Sequence, residues 1–221
     1  MIKAFSLAIG QLSDPSFRKV LWKSIGMALV VFVLLWVTLG YLIGSTALFA
    51  LGWLESIIDF LGVAAVGILT WFLFPAVISV IVSFFLEEAA EAVDKRHYPH
   101  LPPARSQPMS ELIITTAKFL VIAVVLNIFL LFFLFFPPLY PVAFYVVNGY
   151  LFGREYYELV ALRRLDNVTA QGLRKAHGSK LMLIGMLIAF TFTIPFVNLV
   201  APLIATAAMV HLVETWRHRT A

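Results

Sequence analysis

Four long stretches of this chain carry no Asp, Glu, Lys or Arg: residues 24–54, 60–86, 119–153 and 181–213. The 16 Lys and Arg crowd the flanks of these stretches and are absent from the short gap at 55–59. Apolar runs longer than about 18 residues read as membrane segments. Lys and Arg are retained on the cytoplasmic side of such segments. The pattern therefore predicts an all-α integral membrane protein, a single membrane domain over 1–221, with every basic residue on one face of the bilayer.

Ile2, Phe5, Ile9 and Leu12 recur at helical spacing and predict an interfacial helix over 1–12, lying on the membrane surface. Ser13-Asp14-Pro15 then reads as a helix start, a capping side chain followed by proline in the first turn. A long transmembrane helix is expected over 15–54. Its charge-free part alone would span about 46 Å, more than the ~30 Å hydrocarbon core, so it crosses once, tilted or extended past the bilayer. Gly40 and Gly44 form a GxxxG, which suits close helix packing. Glu55 and Asp59 mark a far-side turn. A second long helix over 60–96 returns, with a kink expected at Pro75. A proline-rich connector follows over 97–110.

The last two apolar stretches are interrupted by proline. Phe136-Pro137-Pro138-Leu139-Tyr140-Pro141 breaks one and Ile194-Pro195-Phe196-Val197-Asn198 the other, and neither break carries a charge. The arm from Leu181 to Ile194 would make only about 21 Å of helix. These features predict two re-entrant hairpins, over 111–166 and 180–218, that dip into the bilayer and return. Four ordinary crossings joined by apolar turns are the alternative. Broken backbone at membrane depth must be covered by protein or line a water-filled cavity.

Composition sharpens the class. Hydrophobic residues make up 62% and charged residues 13%, with a mean hydropathy of +0.95, whereas soluble domains carry about 25% charged residues. The net charge of +4 flanks apolar segments, so it points to anionic lipid heads and not to nucleic acid. Cysteine is absent, which removes disulfides and thiolate metal sites. Residues 1–11 are too short for a cleavable signal peptide, so the first apolar run is expected to direct insertion. No ionisable group interrupts the four stretches, which argues against an ion-coupled pump. Without a phosphate-binding glycine loop or a nucleophile motif, neither an ATP-driven pump nor an enzyme is expected, and no cofactor. His211, Glu214 and His218 share a helix face, but without a further ligand they read as a charged interfacial end, and no metal is expected.

Arg18-Lys19 after Asp14-Pro15, and the closing run Gly185-Met186-Leu187-Ile188-Ala189-Phe190-Thr191-Phe192-Thr193-Ile194-Pro195-Phe196-Val197-Asn198-Leu199 with Pro202 and Ala205-Thr206-Ala207-Ala208 beyond it, resemble the CysZ-type sulfate permeases and the wider etoposide-induced membrane-protein family. Asn148-Gly149-Tyr150-Leu151-Phe152-Gly153-Arg154-Glu155-Tyr156 is similar to the broader branch of that family. The resemblance implies two long transmembrane helices, two partly penetrating hairpins and an oligomer. It also implies that Arg18 and Lys19 help hold sulfate. A Gly-Leu-Thr-Ser stretch is expected before the Ile-Pro tip; this chain has Ile188 and Ala189 at the Thr-Ser positions and so lacks two hydroxyl donors.

The residues themselves allow an anion at Arg18 and Lys19, because a helix N-terminus favours negative charge. The other use of this pair is anchoring to phospholipid heads. Pro137, Pro138, Asn148, Thr191, Thr193, Pro195 and Asn198 are the hairpin residues expected near a solute path, and Asn198 would cap the returning helix. Asn127 is expected to hydrogen-bond between helices. The function expected is a passive conduit for a small inorganic anion such as sulfate, formed by a homo-oligomer in a bacterial inner membrane with both termini cytoplasmic. A membrane scaffold or lipid-interacting protein without a solute path is the other reading.

Overall fold

The computed structural model describes residues 2–44, 67, 77, 80–105, 108–194 and 197–220. Of the second long helix expected over 60–96, residues 60–66, 68–76 with Pro75, and 78–79 lie outside these residues. So do the turn carrying Glu55 and Asp59, and Pro195. Among the described residues there are helices and no strands. They are α1 (Ile2–Gly10), α2 (Pro15–Gly44), α3 (Leu86–His97), α4 (Met109–Phe132), α5 (Tyr140–Ala161), α6 (Asn167–Ala176), α7 (Gly178–Phe192) and α8 (Val197–Thr220), with 3-10 turns at Gln11–Ser13 and Phe133–Phe135. The protein is an all-α membrane protein.

Among the described residues, three segments are long and apolar enough to cross a bilayer by length and composition: Pro15–Tyr41, Met109–Phe135 and Val197–His218. Two of them belong to the hairpins. The arms are therefore unequal. α7 has 15 residues, about 22 Å, while α8 has 24, about 36 Å. α8 outlasts the apolar run because its helix continues to Thr220. The helix expected over 60–96, with its one kink at Pro75, is interrupted at Phe84 and Phe85. The Phe84 and Phe85 N–H groups bond back three residues, to the carbonyls of Ile81 and Val82, before α3 begins. α3 opens with Glu87 and Glu88 and ends with Lys95, Arg96 and His97, each charge on the end the helix dipole favours.

α8 is the axis of the packed region, and its small residues let others approach. Ala201, Ala205, Ala207 and Ala208 are buried along it. α1 lies against it with Ala4 and Ala8 buried, while Ile2 and Ile9 face outward, the apolar side an interfacial helix offers to lipid. α3 covers another side, burying Ala89, Ala90 and Val93. By contrast, the apolar windows of α2 and α4 are 17% and 6% buried, so both present their side chains outward, as helices solvated by lipid do.

The tightest contact is the crossing of α5 over α7. A Cβ built on Gly185 would stand 1.8 Å from the Gly149 carbonyl oxygen and 2.6 Å from the Gly153 nitrogen. One on Gly153 would stand 2.3 Å from the Leu181 carbonyl oxygen. The two backbones touch, which only glycine permits. Gly149 and Gly153 are themselves a GxxxG. At Gly40, by contrast, an added Cβ would meet nothing within 4 Å among the described residues.

The charged gaps, far apart in sequence, converge. Arg96 pairs with Asp14 at 2.9 Å and Lys23 with Glu88 at 2.8 Å, joining the start of α2 to α3. Arg163, after α5, reaches Glu87 at 2.6 Å and Asp94 at 2.9 Å, and Arg164 reaches Asp94 at 2.8 Å. Arg164 also donates to the Pro102 carbonyl, and the Arg105 N–H donates to the Arg163 carbonyl at 2.9 Å, which pins the connector. The His177 ring stacks on Trp216 at 4.3 Å and ties the α6–α7 junction to α8. One charged end of the molecule holds residues from four separate gaps.

Candidate functional site

Asp14 decides what the start of α2 can offer. Its Oδ1 accepts the Ser16 N–H at 2.7 Å, and its backbone carbonyl accepts the Arg18 N–H at 2.9 Å. Its Oδ2 accepts from Arg96. Burial pushes the Asp14 carboxyl up, but the Ser16 N–H, Arg96 and the Phe17 N–H outweigh it and hold the group below its ordinary range. The expected helix-terminus anion site is thus already occupied by the protein's own carboxylate. Arg18 and Lys19 are both exposed, and neither makes an ion pair among the described residues. An anion there would meet two side chains, without the backbone donors.

The first hairpin tip is open. The Leu139 and Tyr140 N–H groups both donate to the Phe136 carbonyl, at 2.9 and 3.2 Å, closing the turn over Pro137 and Pro138. Residues 134–139 are all exposed, Phe135 to 81%. Pro137, Pro138 and Pro141 carry no N–H, so this turn has fewer donors to satisfy away from water. Four polar side chains on the hairpins bond within their own helices. Thr191 and Thr193 donate to the carbonyls of Ile188 and Phe190 at 2.7 Å, Asn148 to Phe144 at 2.9 Å and Asn127 to Ala123 at 2.8 Å. Asn127, on an exposed face of α4, therefore corrects the expectation of a bond between helices: its amide donates to a carbonyl one turn back. The hydroxyl protons of Thr191 and Thr193 are spent, leaving acceptors rather than donors toward any anion. Asn198 stands in the first turn of α8, its N–H donating to the Ile194 carbonyl at 3.2 Å, and not before the helix as its cap. Ile188 and Ala189 are buried among packed helices, so the positions where hydroxyls were expected face the core.

His211, Glu214 and His218 do not converge. His211 Nδ1 lies 2.9 Å from the Tyr98 hydroxyl, while Glu214 accepts from Arg217 at 2.7 Å, with His218 Nε2 4.0 Å away. Around His211 lies a buried polar cluster that helical periodicity did not reveal, because its members come from three elements. His97 Nε2 is 2.9 Å from Gln11 Oε1, and the rings of His97 and His211 meet edge to face at 4.8 Å. Burial raises the Tyr98 phenol to about 12, so it stays protonated and able to donate to His211.

Sequence reasoning also missed a basic cleft of about 600 Å³ between α4, α5 and α6. Lys118, Arg154 and Arg174 line it, with Glu158. Glu158 Oε1 accepts from both arginines, from Arg154 Nε at 2.8 Å and from Arg174 at 2.9 Å. The Arg154–Glu158 pair was legible as an i, i+4 spacing. The arrival of Arg174 and Lys118 from neighbouring helices was not.

The chain matches the family model described as sulfate transporter CysZ/etoposide-induced protein 2.4 over residues 4–202, nearly its whole length. It belongs to this family. No curated protein and no solved structure matches it. Membership in the CysZ and etoposide-induced protein 2.4 family agrees with the helical architecture and the three apolar helices. The family is one of transporter-type membrane proteins and not of enzymes. The protein is an integral membrane protein in contact with lipid.

Proposed function

We propose that this chain is one protomer of an oligomeric permease that passes a sulfate-like inorganic anion without energy coupling. The observation that carries the reading is the exposed cation pair Arg18 and Lys19, without an ion pair among the described residues, at the mouth of the long apolar helix α2, in a chain of the CysZ family. Exposed cations raise the local concentration of an anion without holding it so tightly that it cannot leave. Both termini lie on the cytoplasmic side of a bacterial inner membrane, the side where the basic residues gather. Both hairpins are re-entrant. The exposed tip over Pro137 and Pro138 and the outward face of α2 are then covered by neighbouring copies, and Gly40 and Gly44 offer a close-approach face for one of them.

Sulfate uptake into liposomes holding the purified protein is expected to fall several-fold in Arg18→Ala and Lys19→Ala and further in the double variant. Unchanged uptake in all three removes the pair from the pathway. The absence of native cysteine makes the topology testable as well. Single Leu139→Cys and Val197→Cys variants are expected to resist an impermeant thiol reagent applied from the far side. Labelling from that side would mean full crossings.

A second reading, a membrane scaffold without a solute path, draws on the hairpin hydroxyls. Thr191 and Thr193 are bonded to their own helix, and the positions before the tip carry Ile188 and Ala189. Liposomes that take up no sulfate with the unmodified protein would favour it.

A further inference from the structure

The cleft between α4, α5 and α6 is lined by both charged and apolar side chains. The Arg154 side chain in it is only 7% exposed. Its Nε is committed to Glu158, and its guanidinium sits 5.6 Å from the centroid of the Phe119 ring. Its two terminal nitrogens have no acceptor among the described residues, although both the large cleft and a smaller one of about 220 Å³ open on this side chain. These donors open into the cleft and can bond an acceptor placed there. Charge is unbalanced too: three cations, Lys118, Arg154 and Arg174, face one carboxylate, Glu158, leaving a local excess of two positive charges. Arginine's planar fork fits a phosphate through two parallel hydrogen bonds.

Part of the wall is apolar. Ile114 and Val121, about one turn either side of Lys118 on α4, line the cleft and are 53% and 62% exposed, and they continue into the outward face of α4. A hydrated inorganic anion would gain nothing from that wall. A molecule with a phosphate at one end and hydrocarbon at the other would use both. Basic pockets between helices on the cytoplasmic side suit anionic lipid heads.

We propose that this cleft is a binding site for an anionic glycerophospholipid, its phosphate held by Arg154, Arg174 and Lys118 and its acyl chains laid along α4. The site is separate from Arg18 and Lys19 and does not depend on whether an anion is transported.

The full-length protein in detergent is titrated with phosphatidylglycerol, with phosphatidylcholine of the same chain length, and with glycerol phosphate and inorganic phosphate as heads without chains. Retained lipid is counted by native mass spectrometry and stability by thermal unfolding. Phosphatidylglycerol is expected to be retained at least tenfold better than phosphatidylcholine and to raise the melting temperature, while neither head alone does so at equal concentration. Arg174→Gln and Lys118→Gln, at half-buried and exposed positions, are expected to abolish most of that preference while melting normally in phosphatidylcholine; Arg154→Gln should do the same where it folds. Equal retention of the two lipids overturns the proposal. So does an unchanged preference in the Arg174 and Lys118 variants. Stabilisation by inorganic phosphate equal to that by lipid overturns it in favour of a soluble anion. Loss of uptake in the Arg18 and Lys19 variants, or its absence, leaves these outcomes unaffected.

Discussion

Gly185→Ala should unfold the detergent-solubilised protein at a markedly lower temperature than the unmodified chain. The added methyl would stand 1.8 Å from a backbone oxygen of α5, and that oxygen cannot rotate away as a side chain could. α5 and α7 must separate along their contact, and the contact is shared: Gly149 and Gly153 both face the same stretch of α7. Overpacking in a core costs about 1–3 kcal/mol where side chains can adjust; here the backbones must part, so about 3 kcal/mol or more is expected. Gly26→Ala and Gly172→Ala are the controls. An added Cβ at either meets nothing within 4 Å, and alanine favours a helix over glycine by up to about 1 kcal/mol. Those two variants should melt at or slightly above the unmodified protein. If Gly185→Ala melts with them, α5 and α7 do not cross at these glycines.

Asp94→Ala is expected to cost about 3–5 kcal/mol, because it leaves two arginines buried without their shared acceptor. The Arg163 and Arg164 side chains are each 6% exposed, and Asp94 itself 11%. Arg163 keeps Glu87, but that carboxylate is 61% exposed and compensates only in part. Asp94→Asn retains an oxygen acceptor and should cost less. The exposed pair Glu91–Lys95, one face away on the same helix, gives the contrast: Lys95→Ala should change stability by about 0.5 kcal/mol or less. Because Arg163 and Arg164 also hold the connector through the Arg105 N–H and the Pro102 carbonyl, Asp94→Ala should expose residues 98–105 to protease first. Equal melting and equal proteolysis of Asp94→Ala and Lys95→Ala would show that the buried network does not hold this end together.

Some features of this chain are local and could be read directly from the sequence. Lipid as solvent follows from each residue's own transfer energy, summed over runs without charge, so the four apolar stretches needed no partner to be recognised. Helix starts and breaks are also short-range. Asp14-Pro15 opens α2, and the prolines at 137 and 138 end α4, because capping and the missing N–H act within a turn. The i, i+4 pair Arg154–Glu158 belongs with these.

Other features depend on who meets whom across the fold, and only the tertiary structure decided them. Two GxxxG pairs are visible in the sequence, and spacing cannot rank them. Gly149 and Gly153 meet Gly185 of α7, whereas Gly40 meets nothing among the described residues. Asp14 caps its helix and also accepts Arg96, 82 positions away, which removes the backbone donors an anion would have used. Arg154 is buried beneath Phe119 and shares Glu158 with Arg174, from three different helices. Hydrophobicity places a segment in the bilayer one residue at a time, but a crossing or a charged cleft exists only when separate segments arrive together.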